Sequence, residues 1–301
     1  MGRIVVLDEC GSTNAEAADR TAYGHGDAVI AVRQTAGRGI DVVSAPGCTA
    51  GGVLQWVAAV LREETVRRGS VPGELTVGVV GVGHVGSLVG DYASDWGFRV
   101  LRSDPPREEA EGLGPDQGYV PLEELAARSD IVTFHVPMVC GGAHPTVGLG
   151  GDAFFRALRR GAAVLNSSRG GIVDECLLSE AVAEGRCSAC IDTWSGEPGI
   201  NQELLTLATI ATPHIAGYSL QGKANATAAV VAAVAGHFGL PLSGWYPSGV
   251  TPVCRRKIGW REMCDAMPRY FDISGQTVAL KASPERFEKF REEYAFRQEF
   301  F

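Results

Sequence analysis

Three residues of different chemistry share one setting, a short apolar stretch that runs into a turn of small residues. Arg169 follows "AAVLNSS", Glu197 follows "CIDTW" within "DTWSGEPG", and His214 follows "LATIATP" within "TPHIAGYS". Singly, each has an ordinary explanation. Charged side chains commonly decorate solvated rims, and a histidine beside apolar residues often serves packing alone. Together they supply the parts for moving a hydride off a hydroxy acid. A guanidinium grips a carboxylate through a forked pair of hydrogen bonds. An imidazole takes the hydroxyl proton as hydride leaves the same carbon, and returns it in the reverse direction. A carboxylate behind the imidazole fixes its tautomer and favours the protonated ring.

A hydride needs an acceptor, and "TVGVVGVGHVGSLV" offers a place for one. It carries G-x-G-x-x-G at Gly81, Gly83 and Gly86. That spacing is weak evidence alone in a chain of 39 glycines, where a structural glycine turn is the plain alternative. Here an apolar strand runs into the motif and a helix leaves it. Gly81 permits the tight turn, Gly83 lets a pyrophosphate touch the backbone, and Gly86 lets helix and strand pack closely. His84 and Val85 supply backbone amides at the helix start, where an anion is favoured. Asp104 closes the next strand, placed to hold a ribose hydroxyl pair. It favours NAD over NADP, although Arg102 and Arg107 stand nearby.

Strands and helices must bring these residues together. "RIVVLD" (3–8) and "DAVIAVR" (27–33) read as strands, with a helix from Ser12 between them and a turn, short strand and loop over 35–48. "AGGVLQWVAAVLREETVRRG" (50–69) reads as a long helix. Strands follow at 75–81, 98–104, 131–137, 162–170, 187–194 and 207–217. Helices start at Val85, Leu122 and Asp174, and others fall near 152–159 and 222–238. Short β-branched strands interleaved with helices predict an α/β fold, a doubly wound parallel sheet of Rossmann type. Its ligands belong at the carboxyl ends of the strands, where Arg169, Glu197 and His214 stand. A different tail follows, rich in Pro, Gly and Trp over 240–275, with a charged amphipathic helix over 284–296. Cys187 and Cys190 form a C-x-x-C inside a strand, where residues three apart face opposite sides; no metal site is expected.

Composition narrows the classes. A net charge of −8 argues against a nucleic-acid partner. No stretch reaches the roughly 18 apolar residues of a membrane span, and "MGRIVVLDECGS" lacks the order of a signal peptide. The expectation is a cytoplasmic protein with reduced cysteines.

"TVGVVGVGHVG", "NSSRGGIVDE", "DTWSGEP" and "TPHIAGYS" are similar to the motifs of the D-isomer-specific 2-hydroxyacid dehydrogenases. "SAPGCTA", "SDPPRE", "TFHVP", "HIAGYSLQGKANAT" and the tail "YFDISGQTVALKASPERFEKFREEY" narrow the resemblance to the branch that acts on 4-phospho-D-erythronate in vitamin B6 biosynthesis. The likeness runs from about Gly39 to Phe301. It implies NAD as cofactor and oxidation of a small phosphorylated hydroxy acid to 3-hydroxy-2-oxo-4-phosphooxybutanoate. It places Arg169, Glu197 and His214 at catalytic positions, with His214 as proton donor. It puts Val136, Ser168, Asp192 and Gly217 at cofactor contacts and Tyr218 at a substrate contact. It also implies a small α+β C-terminal module that makes a homodimer.

The front of the chain departs from that family. Residues 7–39 resemble the opening of the biotin–protein ligase catalytic domain at Ser12–Asn14 and Gln34–Gly39, and the likeness stops before that family's lysine motif. The expected organisation is a foreign or truncated segment over 1–49, an NAD-binding domain over 50–219, a closing helix over 220–240 and a dimerisation module over 241–301. Tyr218, Lys223 and Arg38 are the candidates to grip a substrate phosphate. A missing wall of the cleft leads to the expectation of retained NAD binding and weakened turnover. The alternatives are an NAD-sensing binding module and a dehydrogenase of another D-2-hydroxy acid; a biotin ligase fits least.

Overall fold

The computed structural model describes residues 4–10, 28–34, 44–252 and 255–301. They fall into two compact units, one of residues 1–49 and 220–252, the other of 50–219 and 253–301. In the first unit, strand β1 (Ile4–Cys10) pairs in parallel with β2 (Ala28–Gln34), with Ile4 opposite Ala28 and Cys10 opposite Gln34. Both strands were legible from their β-branched runs. The expected helix from Ser12 and the segment carrying Arg38 lie outside the described residues.

The second unit opens with helix α1 (Ala50–Arg68), buried on every side from Ala50 to Leu61. A helix apolar all round belongs inside a core. Its far end turns polar: the fully buried Glu64 accepts from Arg67 and Arg68, and Arg68 reaches on to the Gly161 carbonyl at 2.8 Å.

Six parallel strands follow. They are β3 (Thr76–Val80), β4 (Arg99–Ser103), β5 (Ile131–Phe134), β6 (Ala162–Asn166), β7 (Cys187–Ile191) and β8 (Ile210–Ala211), in spatial order β4-β3-β5-β6-β7-β8. The chain winds outward from β3 to β4, then returns to β5 on the other side, so the winding reverses between β3 and β5. Helices α2 (His84–Asp95), α3 (Pro105–Glu111), α4 (Leu122–Arg128), α5 (Asp152–Ala157), α6 (Glu175–Ala183) and α7 (Gln202–Leu207) connect them.

Alternate residues of each strand enter two separate cores. Val77, Val79, Ile131, Leu165, Cys190 and Ile210 join α1 and α2. Val80, Val132, Phe134, Val164, Cys187 and Ile191 join α4 to α7. Both faces being covered, the strands read as continuous apolar runs.

Helix α8 (Leu220–Phe238) returns the chain to the first unit. Beyond it come α9 (Trp260–Tyr270), α10 (Ile273–Ala282) and α11 (Phe287–Glu292) in the second unit. The charged helix read over 284–296 is shorter in the structure: a 3-10 turn at Pro284–Arg286 precedes α11. Helix α9 lies inside the stretch read only as rich in Pro, Gly and Trp. It buries Met263 and Met267, one turn apart, against the α1 core.

Cys187 and Cys190 thus lie on opposite faces of β7. Burial pushes the Cys187 thiol up to about 11 and Cys190 well above its ordinary value. A thiol-alkylating reagent near neutral pH should label the exposed Cys140 and Cys176 and spare Cys187 and Cys190 until the protein unfolds. Peptide mass spectrometry reads the result, and native labelling of either β7 thiol would contradict this packing.

Candidate active site

The reversal between β3 and β5 opens a crevice at the carboxyl edge of the sheet. Gly81 ends β3 with φ +82° and donates its N–H to the Ser103 carbonyl at 2.8 Å. A Cβ there would lie 2.6 Å from Val136 Cγ1, and one on Gly86 would lie 1.9 Å from the Gly81 carbonyl oxygen. Only glycine fits at either position. Gly83 differs: a Cβ there would meet nothing within 4 Å. It is the N-cap of α2, so room for an anion exists where the backbone amides of His84 and Val85 begin the helix. His84 is exposed; Val85 and Val136 are half-buried and pack on the two cores. Asp104 caps α3 through the Arg107 N–H at 3.2 Å and accepts the Val82 N–H at 2.7 Å. A carboxylate has further lone pairs for a ribose diol. These features fit a dinucleotide.

The other three residues stand on neighbouring strand ends. The ladder continues past the strands, with Asp192 N–H donating to Asn166 O and His214 N–H to Asp192 O, each at 2.9 Å. After β6, Asn166 accepts from the Ser168 N–H and hydroxyl and donates to the Arg169 carbonyl at 2.8 Å. Arg169 is exposed, and its guanidinium donates to the Ser168 carbonyl at 2.7 Å. A Cβ on Gly170 would lie 2.1 Å from the Trp194 carbonyl oxygen, so this loop is pressed against the next. There the Trp194 N–H donates to Glu197 Oε1 at 2.8 Å.

Glu197 Oε2 meets His214 Nδ1 at 2.8 Å, with side chains only 17% and 18% exposed. Burial pushes the Glu197 carboxyl up. The hydrogen bond and charge of His214, the Trp194 N–H and Arg291 outweigh it and hold the group below the usual carboxylate range. A carboxylate only accepts, so Nδ1 carries the proton and Nε2 is left as a base. His135, at the end of β5, has no such partner: burial pushes its ring down to about 3, and it stays neutral. The structure therefore unites Glu197 and His214 and sets Arg169 on the loop beside them.

His214 adopts φ +57°, a conformation that non-glycine residues rarely take. Asp192, fully buried, organises the turn that carries it. Its Oδ1 accepts from the Thr212 hydroxyl at 2.6 Å and the Ile215 N–H at 2.8 Å, and its Oδ2 from the Ala216 N–H at 2.9 Å. Thr212 Oγ1 also accepts the Trp56 indole N–H at 2.9 Å, which ties the turn to α1. Burial pushes the Asp192 carboxyl up, against the opposing pull of His214 and these donors.

The C-terminal segment closes the far side. Arg297 donates to the carbonyls of Ile215 at 2.9 Å, Gly52 at 2.6 Å and Ala216. The Ser219 hydroxyl donates to Glu299 Oε1 at 2.5 Å. Arg291 Nε donates to the Tyr218 hydroxyl at 3.1 Å, and its Nη1 lies 3.9 Å from Glu197 Oε2. Gly217 and Tyr218 are half-buried within this frame, and Lys223 is exposed on α8 of the other unit. Sequence reading missed Trp56, Thr212, Arg291 and Arg297, because their roles rest on contacts made far along the chain.

A glycine crevice for a dinucleotide and an imidazole–carboxylate pair on one sheet edge define an NAD-linked oxidoreductase of the doubly wound class. Residues 54–216 match the family described as "D-isomer specific 2-hydroxyacid dehydrogenase, NAD binding domain", and the chain belongs to that family. Among its relatives, the erythronate-4-phosphate dehydrogenase of Bacteroides thetaiotaomicron is 40% identical over 266 residues, covering 87% of this chain and 74% of that one. The enzyme of the same name from Porphyromonas gingivalis is 38% identical, covering 85% and 70%. Among solved structures, D-lactate dehydrogenase from Aquifex aeolicus, complexed with NAD and lactic acid, aligns at TM-score 0.53. It shares 22% identity over 83% of this chain and 81% of that one. NAD-dependent formate dehydrogenase from Staphylococcus aureus aligns at TM-score 0.56 with 19% identity over 78% and 72%. These two share the fold.

Replacing Asp192 with Asn leaves one of three buried donors facing an amide N–H. The expected cost is about 1–3 kcal/mol of stability, read from denaturant unfolding; an unchanged midpoint would show that the carboxylate does not organise the turn.

Proposed function

We propose that this chain oxidises 4-phospho-D-erythronate to 3-hydroxy-2-oxo-4-phosphooxybutanoate with NAD, in vitamin B6 biosynthesis. The observation that carries the reading is the 2.8 Å contact between Glu197 and His214, on the sheet edge that also bears the Gly81–Gly86 crevice. The names of the relatives support the substrate.

Each residue has a task. Gly81, Gly83, Gly86 and the amides of His84 and Val85 receive the cofactor pyrophosphate, and Asp104 holds its ribose. Val136, Ser168 and Gly217 line the rest of that site; Asp192, sealed by the His214 turn, shapes it without touching the cofactor. A bound NAD would supply the acceptor for the hydride that leaves C2 with its electron pair. Arg169 grips the substrate carboxylate and so fixes which face of C2 is presented. His214 Nε2 takes the C2 hydroxyl proton as the carbonyl forms, and Glu197 balances the charge that this leaves on the ring. Tyr218 meets the substrate from the rim. Residues 50–219 serve as the NAD-binding domain, and residues 241–301 pair two chains into a homodimer, which light scattering would test. A cytoplasmic location is part of this proposal; among the described residues no helix is long and apolar enough to cross a membrane.

NADH formation from 4-phospho-D-erythronate is the test. His214→Ala should lower turnover by about 10²–10⁴-fold while NAD affinity, measured by calorimetry, holds. Turnover by that variant near the parent's rate would remove His214 as the base. Oxidation of another D-2-hydroxy acid in place of the phosphorylated one would move the substrate and leave the family standing. A kcat within about 1–10³ s⁻¹ would dispose of the expectation of weakened turnover.

A further inference from the structure

The proton-transfer pair does not stand alone on its own loops. Arg291, on α11, reaches it from the C-terminal segment. Its Nη1 lies 3.9 Å from the same Glu197 oxygen that His214 engages, and its Nε donates to the Tyr218 hydroxyl at 3.1 Å. The side chains of Arg291 and Glu197 are 20% and 17% exposed, so water screens them little. The same segment holds the Tyr218 ring edge-on, with Tyr294 at 6.3 Å and Phe296 at 5.7 Å between centroids. A pair free in solvent contributes almost nothing; this one is anchored at Tyr218 and Glu197 and shielded from water.

We propose that Arg291 is a positioning residue for proton transfer: it keeps the Glu197 carboxylate charged and turned toward His214, and it fixes Tyr218 at the substrate rim. The inference rests on reading Glu197 and His214 as the proton-transfer pair. The charges around Glu197 explain why a cation is needed. Glu175, on α6, accepts the Ser195 N–H at 2.5 Å on the same loop, and Asp174 lies beside it. Burial pushes the Glu175 carboxyl up, with Glu197 and Asp174 adding to it. Asp192 stands behind His214. Glu197 and Asp192 thus act on one imidazole, Glu175 adds its charge beside Glu197, and Arg291 is the guanidinium that meets Glu197 among them. Its position on the Nδ1 side of the ring leaves Nε2 to the substrate. A role in holding the substrate phosphate is the competing outcome, and it predicts a different signature.

The test compares Arg291→Met, Arg291→Gln and Arg291→Lys in the full chain with NAD. The Glu197 carboxyl is followed by carbon NMR, assigned by its absence in Glu197→Gln. Losing the cation should raise the Glu197 titration midpoint, and Lys should retain most of the parent value. The acid limb of kcat should move in the same direction, with kcat at neutral pH falling more than KM rises. The glutamine variant, with donors of similar reach, repeats the measurement should the methionine variant lose its fold. An unmoved midpoint in the neutral variants overturns the proposal. So does a rise in KM for the hydroxy acid with kcat and its pH profile intact, which would make Arg291 a substrate anchor. An active His214→Ala variant would overturn the functional reading instead, and the carboxyl titration would still report on Arg291.

Discussion

The buried carboxylate of Asp192 is the constraint on which the site depends. A charge taken out of water is costly unless hydrogen bonds replace hydration. Here three donors do so, and all three come from the turn that carries His214. Satisfying the carboxylate and shaping the turn are therefore one event. The turn must bend back on itself to bring the Ile215 and Ala216 amides to one side chain, and the unusual φ of His214 follows from that demand. The ring then emerges toward the loop of β7, where Glu197 waits on the same strand end as Asp192.

Around this point the fold gathers elements remote in sequence. Helix α1 contributes Trp56 through Thr212, and the last residues of the chain contribute Arg297 and Glu299. Arg297 is itself a buried charge, held by carbonyl oxygens and by the Phe271 ring at 4.3 Å. An arginine fork matched to several carbonyls fixes a backbone more tightly than one hydrogen bond could. The turn is thus clamped from below by an acid that takes its amides and from behind by a guanidinium that takes its carbonyls.

Much of this was legible in the sequence, for identifiable reasons. The strands were short apolar runs bounded by turn residues, and alternation between two cores makes such runs. The glycine motif declared itself because each glycine answers a separate steric demand, which the structure shows as two close approaches and one open space. Arg169, Glu197 and His214 were visible as charges at strand ends. What spacing could not show was pairing across distance. Arg291 meets Tyr218 from 73 residues away, and no local pattern marks it out from the other cations of the "PERFEKFREEY" stretch. Helix α9 was hidden by Gly259 and Pro268, although its Met263 and Met267 form the apolar pair that a helix buries. The strand read over 207–217 shrank to two residues: Leu207 belongs to α7, Pro213 has no N–H to offer a ladder, and Asp192 takes the amides of Ile215 and Ala216.

The same argument explains why the two acidic residues after β7 do different work. Asp192 and Glu197 are five positions apart, yet one is sealed and the other opens to the rim. Asp192 meets backbone amides and a hydroxyl, groups that cannot move a proton to substrate, so its charge is spent on shape. Glu197 meets the imidazole at Nδ1 and leaves its second nitrogen to another partner, so its charge is felt by whatever that nitrogen binds. One strand end thereby supplies both the rigidity of the turn and the polarity of the ring it presents. The separation of these tasks lets a strained backbone persist at the residue that we propose as the base.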